Sequence, residues 1–115
     1  MKLVVAIIQP IRLTAVREAL EGIGVHRMTA CDALGYGRQG GKSPMFRGHE
    51  YKTQLLRKVY LEIAVHDESV ELAIETISAA ARSLPDGEIG DGKIFVMPMG
   101  DCIQISDGNR GTQAI

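Results

Sequence analysis

Two glycine-rich stretches hold the residues whose types and spacing suit chemistry. Gly87-Glu88-Ile89-Gly90-Asp91-Gly92-Lys93 fits the skeleton G-x-x-x-x-G-K. Glycines there let backbone N–H groups face an anion, and the lysine adds a point charge. The fit to a nucleotide-hydrolysing phosphate loop stops at that point. Ile94 stands where a magnesium-binding hydroxyl is needed, and the stretch is expected to lead from a helix into a strand rather than the reverse. Two readings survive, an anion-binding turn and a plain glycine turn with solvated Asp91 and Lys93. The second stretch is Gly35-Tyr36-Gly37-Arg38-Gln39-Gly40-Gly41, where alternate glycines admit a close ligand. Arg38 suits phosphate, and Gln39 offers a carbonyl oxygen to a hard cation or an amide to a carboxylate. A glycine hairpin with a solvated arginine reads equally well. Acid–base chemistry lacks its parts, because His26, His49 and His66 fall in separate segments with no paired carboxylate. Neither Cys31 nor Cys102 has a histidine or a second cysteine at ligand spacing, so no dedicated metal site is expected.

Composition narrows the partners. The 115 residues suffice for one domain, in which 13 basic and 14 acidic side chains leave a net charge of -1. No global basic field exists to attract a phosphate backbone, so nucleic acid is not expected as a partner. The apolar run Leu3-Val4-Val5-Ala6-Ile7-Ile8 stops at Gln9-Pro10 and is too short to span a bilayer or to form a signal-peptide core. A cytoplasmic protein without direct membrane insertion is expected, with both cysteines reduced and serving as small core or half-buried residues.

The elements that must position the glycine stretches follow from periodicity. Lys2 to Ile8 is a β-branched, continuously apolar strand. Leu13, Val16, Leu20 and Ile23 then share one face of a helix that Gly22 and Gly24 stop. Met28 to Leu34 reads as a second strand ended by Gly35. Leu55 to Val65 alternates, with Val59, Leu61, Ile63 and Val65 on the side of Leu55, and Leu56, Lys58, Tyr60, Glu62 and Ala64 on the other. Asp67 is placed as the N-cap of a helix with the stripe Val70, Ile74, Ile77 and Ala81, which closes near Arg82 and Ser83. The glycine turn and a strand from Ile94 to Met97 complete the order β-α-β, loop, β-α-β.

That order predicts an α+β, ferredoxin-like split β-α-β sandwich (βαββαβ), an antiparallel sheet with two helices on one face. The chain is one domain over residues 1–115, with a long loop at about 36–54, a glycine-rich loop at about 83–93 and a C-terminal loop at about 101–115. Loops as long as the first are usually functional or disordered. Leu3, Val5 and Ile7 alternate with Val4, Ala6 and Ile8, so the first strand is apolar on both faces. Soluble monomers rarely leave such a patch in water, and a homo-oligomer packed through the sheet face or edges follows. Cys102 to Ile105 is a candidate further strand.

Taken together, Ala6-Ile7-Ile8-Gln9-Pro10, Val16-Arg17-Glu18-Ala19-Leu20, Gly35-Tyr36-Gly37-Arg38-Gln39, Phe46-Arg47-Gly48-His49-Glu50-Tyr51, Lys58-Val59 and Ile89-Gly90-Asp91-Gly92-Lys93-Ile94-Phe95-Val96 resemble the P-II nitrogen-regulatory signalling family. They run in family order over almost the whole chain. The resemblance implies a homotrimer with nucleotide sites in the clefts between subunits and a T-loop that docks on target proteins. In the family, ATP and ADP compete for the cleft, and 2-oxoglutarate joins Mg-ATP there. On matching positions, Gly37, Arg38, Gly90, Asp91, Gly92 and Lys93 surround the phosphates, while Ile7, Thr29, Glu62 and Ala64 lie near adenine or ribose. Gln39 coordinates Mg2+ and 2-oxoglutarate with help from the backbone at Gly41, and Lys58 pairs with a carboxylate of the oxoacid. The electrostatics agree, since a dicarboxylate beside a triphosphate repels it unless a divalent cation bridges the two and a lysine neutralises the far end. Tyr51 holds the position of a tyrosine that some members carry modified by uridylylation or adenylylation, and a partner contact without modification is the other reading. His49 stands where another branch has a phosphorylatable serine.

The chain departs from the family near its C-terminus. Members commonly end in Ile-Arg-Ile-Arg-Thr-Gly-Glu, whose arginines reach the phosphates; here the stretch is Ile103-Gln104-Ile105-Ser106-Asp107-Gly108-Asn109. A charge-assisted hydrogen bond contributes roughly 1.5–3 kcal/mol, so two missing arginines weaken nucleotide binding by about two to four powers of ten unless something compensates. Arg110 is a candidate substitute. Leu84-Pro85-Asp86-Gly87-Glu88 is longer and more acidic than the common form, which lowers affinity or favours ADP over ATP, and Gln9 replaces a frequent lysine. The expected function is non-enzymatic sensing of ATP/ADP and 2-oxoglutarate that controls nitrogen-metabolism targets through the T-loop, an ammonium channel, a nucleotidyltransferase or another regulated protein. The alternatives are a paralogue with weakened or altered ligand specificity acting on a different target, and a slow ATPase.

Overall fold

A computed structural model describes residues 1–38 and 53–115. The chain runs through β1 (Lys2–Ile8), a 3-10 turn at Pro10–Arg12, α1 (Leu13–Gly22), β2 (Thr29–Arg38), β3 (Thr53–Val65), a 3-10 turn at Asp67–Ser69, α2 (Val70–Ala81), β4 (Gly92–Pro98) and a last 3-10 turn at Gly111–Ala114. The strands lie in the order β2-β3-β1-β4, and every neighbouring pair is antiparallel. This is the ferredoxin-like βαββαβ sandwich that the periodicity predicts.

The core forms where the period-2 face of the sheet meets the period-3.6 faces of the helices. Val4, Ala6 and Ile8 of β1 and Val59, Leu61, Ile63 and Val65 of β3 are buried beneath Val16 and Leu20 of α1 and Ala73, Ile77 and Ala81 of α2. The buried line of α2 therefore runs through Ala73 rather than Val70 and Ile74, which are half-buried. On the opposite face, Val5 stands between Glu62 and Phe95 in the ladder, and Ile7 between Tyr60 and Lys93. Val5 is buried in this row, whereas Phe95 and Met97 remain exposed.

Several local expectations are corrected. Gly35 does not end β2: Gly35, Tyr36, Gly37 and Arg38 pair with Leu56, Leu55, Gln54 and Thr53. A glycine carries the same ladder donor and acceptor as any residue, and two long strands hold it in register. The connection between β2 and β3 is thus residues 39–52 rather than about 36–54, and Gln39, Gly41 and Tyr51 lie outside the described residues. β4 likewise begins at Gly92, so Gly92 and Lys93 belong to the strand and not to the turn. Asp67 caps no helix. It opens the 3-10 turn, and its Oδ1 accepts from the Met1 ammonium at 2.9 Å. That bond and the ammonium's charge hold its carboxyl below the usual range. Cys102 to Ile105 forms no strand, only a bridge between Ile103 and Arg110, because the chain turns back on itself through Asp107-Gly108-Asn109. Cys31 is exposed on edge strand β2 rather than half-buried, and Cys102 is half-buried.

Candidate functional site

The glycine turn is built by its acid. Asp91 Oδ2 accepts from the backbone N–H groups of Ser83 (3.0 Å) and Glu88 (2.9 Å), and the Ser83 hydroxyl donates to Oδ1. Burial pushes the Asp91 carboxyl up, but the Ser83 hydroxyl, the two backbone donors and the nearby Arg12 charge outweigh it and hold the group below its usual range. Asp91 is thus an internal brace, not the solvated side chain of the plain-turn reading. The N–H groups of Gly87, Glu88 and Asp91 are spent inside the turn, whereas those of Ile89 and Gly90 have no acceptor among the described residues. Two neighbouring donors of this kind suit an anion.

Gly92 fixes the turn against the sheet. Its φ is 121°, and a Cβ there would stand 1.8 Å from the Ile7 carbonyl oxygen, a separation only glycine avoids. Lys93 follows, exposed, opposite Ile7 in the β1–β4 ladder. Lys58 reaches the same place from β3 and donates from Nζ to the Gly90 carbonyl at 2.6 Å, while Gln9 Nε2 donates to that oxygen at 3.3 Å. The Lys58 stem crosses Gly35, where an added Cβ would meet its Cγ at 3.1 Å. The sheet thus gathers Ile7, Lys58, Gly90, Asp91, Gly92 and Lys93 at one end, and β2 carries Gly37 and Arg38 beyond them.

Thr29, Glu62 and Ala64 lie at the other end. They line a hollow of about 790 Å³ under the α1–β2 connection, together with Arg27, Met99 and Cys102. Thr29 is paired with Glu62, whose Oε2 accepts from the Tyr60 hydroxyl at 2.9 Å. That bond, with burial and the carboxylate's charge, raises the Tyr60 pKa. Ala64 is eleven residues along β3 from Thr53, the partner of Arg38, or about 36 Å at the strand rise. The candidate residues thus spread along the sheet, with Arg38 and Ala64 at the extremes and Ile7, opposite Tyr60, two residues along β3 from Glu62.

The C-terminal loop folds over the edge of the hollow. Gln104 Nε2 donates to Ser106 Oγ and Asp107 Oδ2, both at 3.1 Å, and Arg27 Nη1 donates to Gln104 Oε1 at 3.4 Å. Arg110 donates from Nε and Nη2 to Asp101 Oδ2, a pairing that holds the Asp101 carboxyl below its usual range. The candidate substitute cation is therefore engaged with Asp101. Sequence reasoning missed Ser83, Arg12 and Arg27. The only signal for Arg27 was a cation immediately before Met28-Thr29, and no local pattern joins Ser83 to Asp91 eight residues away.

Among the described residues, no three His, Cys, Asp or Glu side chains converge as a metal site, and no helix is long and apolar enough to cross a membrane. A family model described as nitrogen regulatory protein P-II matches residues 1–109. Proteins named Nitrogen regulatory protein P-II from Rhizobium etli and Rhodospirillum rubrum are 44% and 46% identical over 115 residues, the whole length of each chain. Nitrogen regulatory protein GlnK1 of Methanosarcina mazei is 44% identical over this whole chain and 97% of its own. A crystal structure of Arabidopsis thaliana PII bound to citrate is similar with a TM-score of 0.79 and 38% identity, covering 99% of this chain and 91% of that one. Fold and sequence agree over the same span, and the chain belongs to the nitrogen regulatory protein P-II family.

Proposed function

We propose that this protein is a homotrimeric, cytoplasmic signal integrator that binds ATP or ADP together with Mg2+ and 2-oxoglutarate and regulates nitrogen-metabolism proteins by binding them rather than by turnover. The observation that carries the reading is the bond from Lys58 to the Gly90 carbonyl, which joins a cation suited to a carboxylate to a turn suited to a phosphate. A dicarboxylate arriving at Lys58 competes for its Nζ and releases that carbonyl, so oxoacid binding alters the turn directly. The Ile89 and Gly90 N–H groups, without an acceptor among the described residues, supply donors for phosphate oxygens, with Gly37, Arg38, Gly92 and Lys93 around them. Asp91 acts at one remove by holding the turn's shape.

Symmetry follows from the span of β3. Thr29, Glu62 and Ala64 at adenine and ribose and Arg38 at the phosphates stand up to about 36 Å apart along one chain. A cleft between copies brings them together, and a closed ring of identical head-to-tail clefts results. The uncovered apolar face at Phe95 and Met97 gives that ring an interior. Mg2+ favours oxygen ligands and keeps few protein contacts, so Gln39 with phosphate and oxoacid oxygens is a suitable set. The citrate held by the related Arabidopsis protein supports a polycarboxylate as ligand. The residues between β2 and β3, including Tyr51, dock on the target, an ammonium channel, a nucleotidyltransferase or another regulated protein.

Titration calorimetry of the full chain with ATP, ADP and 2-oxoglutarate in the presence of Mg2+, with light scattering for mass, tests the reading. Nucleotide binding, oxoacid binding that requires Mg-ATP, and a mass of three chains are expected. A one-chain mass refutes the shared cleft. A second reading, a paralogue with weakened nucleotide sensing, rests on Gln104 and Ser106 at the clamp positions and on Arg110 being held by Asp101. Absent or only millimolar nucleotide binding favours it.

A further inference from the structure

We propose that Arg27, which lines the hollow that Thr29, Glu62 and Ala64 offer to adenine and ribose, reaches out to the phosphates held at the glycine turn of a neighbouring copy, and that Gln104 is its positioning residue; the inference rests on the nucleotide reading above. In the C-terminal loop Gln104 and Ser106 are neutral and Arg110 is paired with Asp101. Arg27 enters the same space from the α1–β2 connection. It lines the hollow, is exposed, and has no carboxylate within ion-pair distance among the described residues.

The geometry around Gln104 gives its amide one sense. A carboxylate only accepts, so the group facing Asp107 Oδ2 must be Nε2, which leaves Oε1 for Arg27. Ser106 fixes Nε2 from a second direction. Gln104 therefore presents a carbonyl to Arg27 Nη1 and holds the guanidinium beside the loop. Among the described residues one of five guanidinium donors is used, and the others remain to meet phosphate oxygens, in the forked geometry that suits them. Asp107 places negative charge at the loop's turn, which drives an anion away from the loop and toward Arg27.

Calorimetry with ATP and ADP on the full chain, with Arg27→Ala, Arg27→Lys and the double variant Arg27→Ala/Gln104→Arg, tests this. Arg27→Ala is expected to weaken ATP and ADP about tenfold to a hundredfold and to flatten the dependence of ATP affinity on salt, with the light-scattering mass and urea midpoint unchanged. Arg27→Lys recovers part of the loss, because it restores charge without the fork, and Gln104→Arg restores most of it from the C-terminal loop beside Arg27. ATP affinity and salt dependence in Arg27→Ala equal to wild type overturn the proposal while leaving the nucleotide reading intact. An equal loss that neither Arg27→Lys nor Gln104→Arg repairs overturns it in favour of a structural role. A folded wild type that binds neither nucleotide overturns the nucleotide reading and this inference with it.

Discussion

Replacing Gly92 with alanine should be among the most damaging single-methyl changes in this protein. Two costs add. A φ of 121° is strained for any side-chain-bearing residue, worth about 1–3 kcal/mol. The new Cβ would also stand 1.8 Å from the Ile7 carbonyl oxygen and 2.9 Å from the Ile7 carbonyl carbon, so β4 must part from β1 where they pair. Each ladder bond lost there removes about 1 kcal/mol. The total, about 3–5 kcal/mol, is a large share of the 5–15 kcal/mol typical of a domain. Gly90→Ala is the internal control, because its φ is also positive, at 103°, yet nothing lies within 4 Å of its added Cβ. It should suffer the strain alone, about 1–2 kcal/mol. Urea unfolding of both variants at one protein concentration reads the difference. With a slope near 2 kcal/mol per molar, the Gly92→Ala midpoint falls by about 1.5–2.5 M and the Gly90→Ala midpoint by less than about 1 M. Equal midpoints for the two variants would refute the claim that close backbone approach, rather than φ, demands glycine at this position.

The brace within the turn gives further predictions. Ser83→Ala removes the hydroxyl donor to Asp91 and should cost about 1 kcal/mol, with faster amide exchange at Gly87 and Asp91; unchanged exchange would count against the brace. Asp91 ionises at lower pH in the folded chain than in the unfolded one, so its stabilisation is present above the ordinary carboxylate range and is lost as pH falls through the folded value. An NMR titration of the Asp91 carboxyl should find it below 3.8, and a value at or above that contradicts the bonding described. Lys58→Ala and Gln39→Ala should each abolish 2-oxoglutarate binding with the light-scattering mass unchanged, and retention of binding in both would displace the proposed oxoacid site. Asp101→Asn weakens an exposed pair and should move stability by less than about 1 kcal/mol, as a urea titration would show.

What the sequence made legible was whatever rests on periodicity. The sheet, both helices and the core face follow from alternation in β1 and β3 and from the stripe of α1, because burial imposes those periods. Boundaries set by competition between partners were not legible. Asp67 has the right type for an N-cap, yet the Met1 ammonium, sixty-six residues away, takes its carboxylate. Gly35 has the composition of a stop, but the long β2–β3 ladder outweighs one residue's entropy. For the candidate site, the glycine turn could be read as an anion cradle but not as one braced by Ser83, since that bond joins segments that no local pattern couples.

The same limit applies to Arg110 as a substitute cation. Proximity in sequence to the altered stretch favours it, yet proximity also lets Asp101, nine residues back, capture it across the bridge that pairs Ile103 with Arg110. A cation that is to serve a ligand must come from an element whose own acids point elsewhere. Arg27 meets that condition because it pairs with no carboxylate among the described residues, and because the neutral Gln104 orients the guanidinium without cancelling its charge. Arginine at 104 would occupy that space with a second cation and repel the first, so Gln104→Arg alone should gain less ATP affinity beside Arg27 than it gains when Arg27 is alanine. Equal gains in the two backgrounds would mean that the two side chains do not share one phosphate, and calorimetry on the four-member cycle decides between these outcomes.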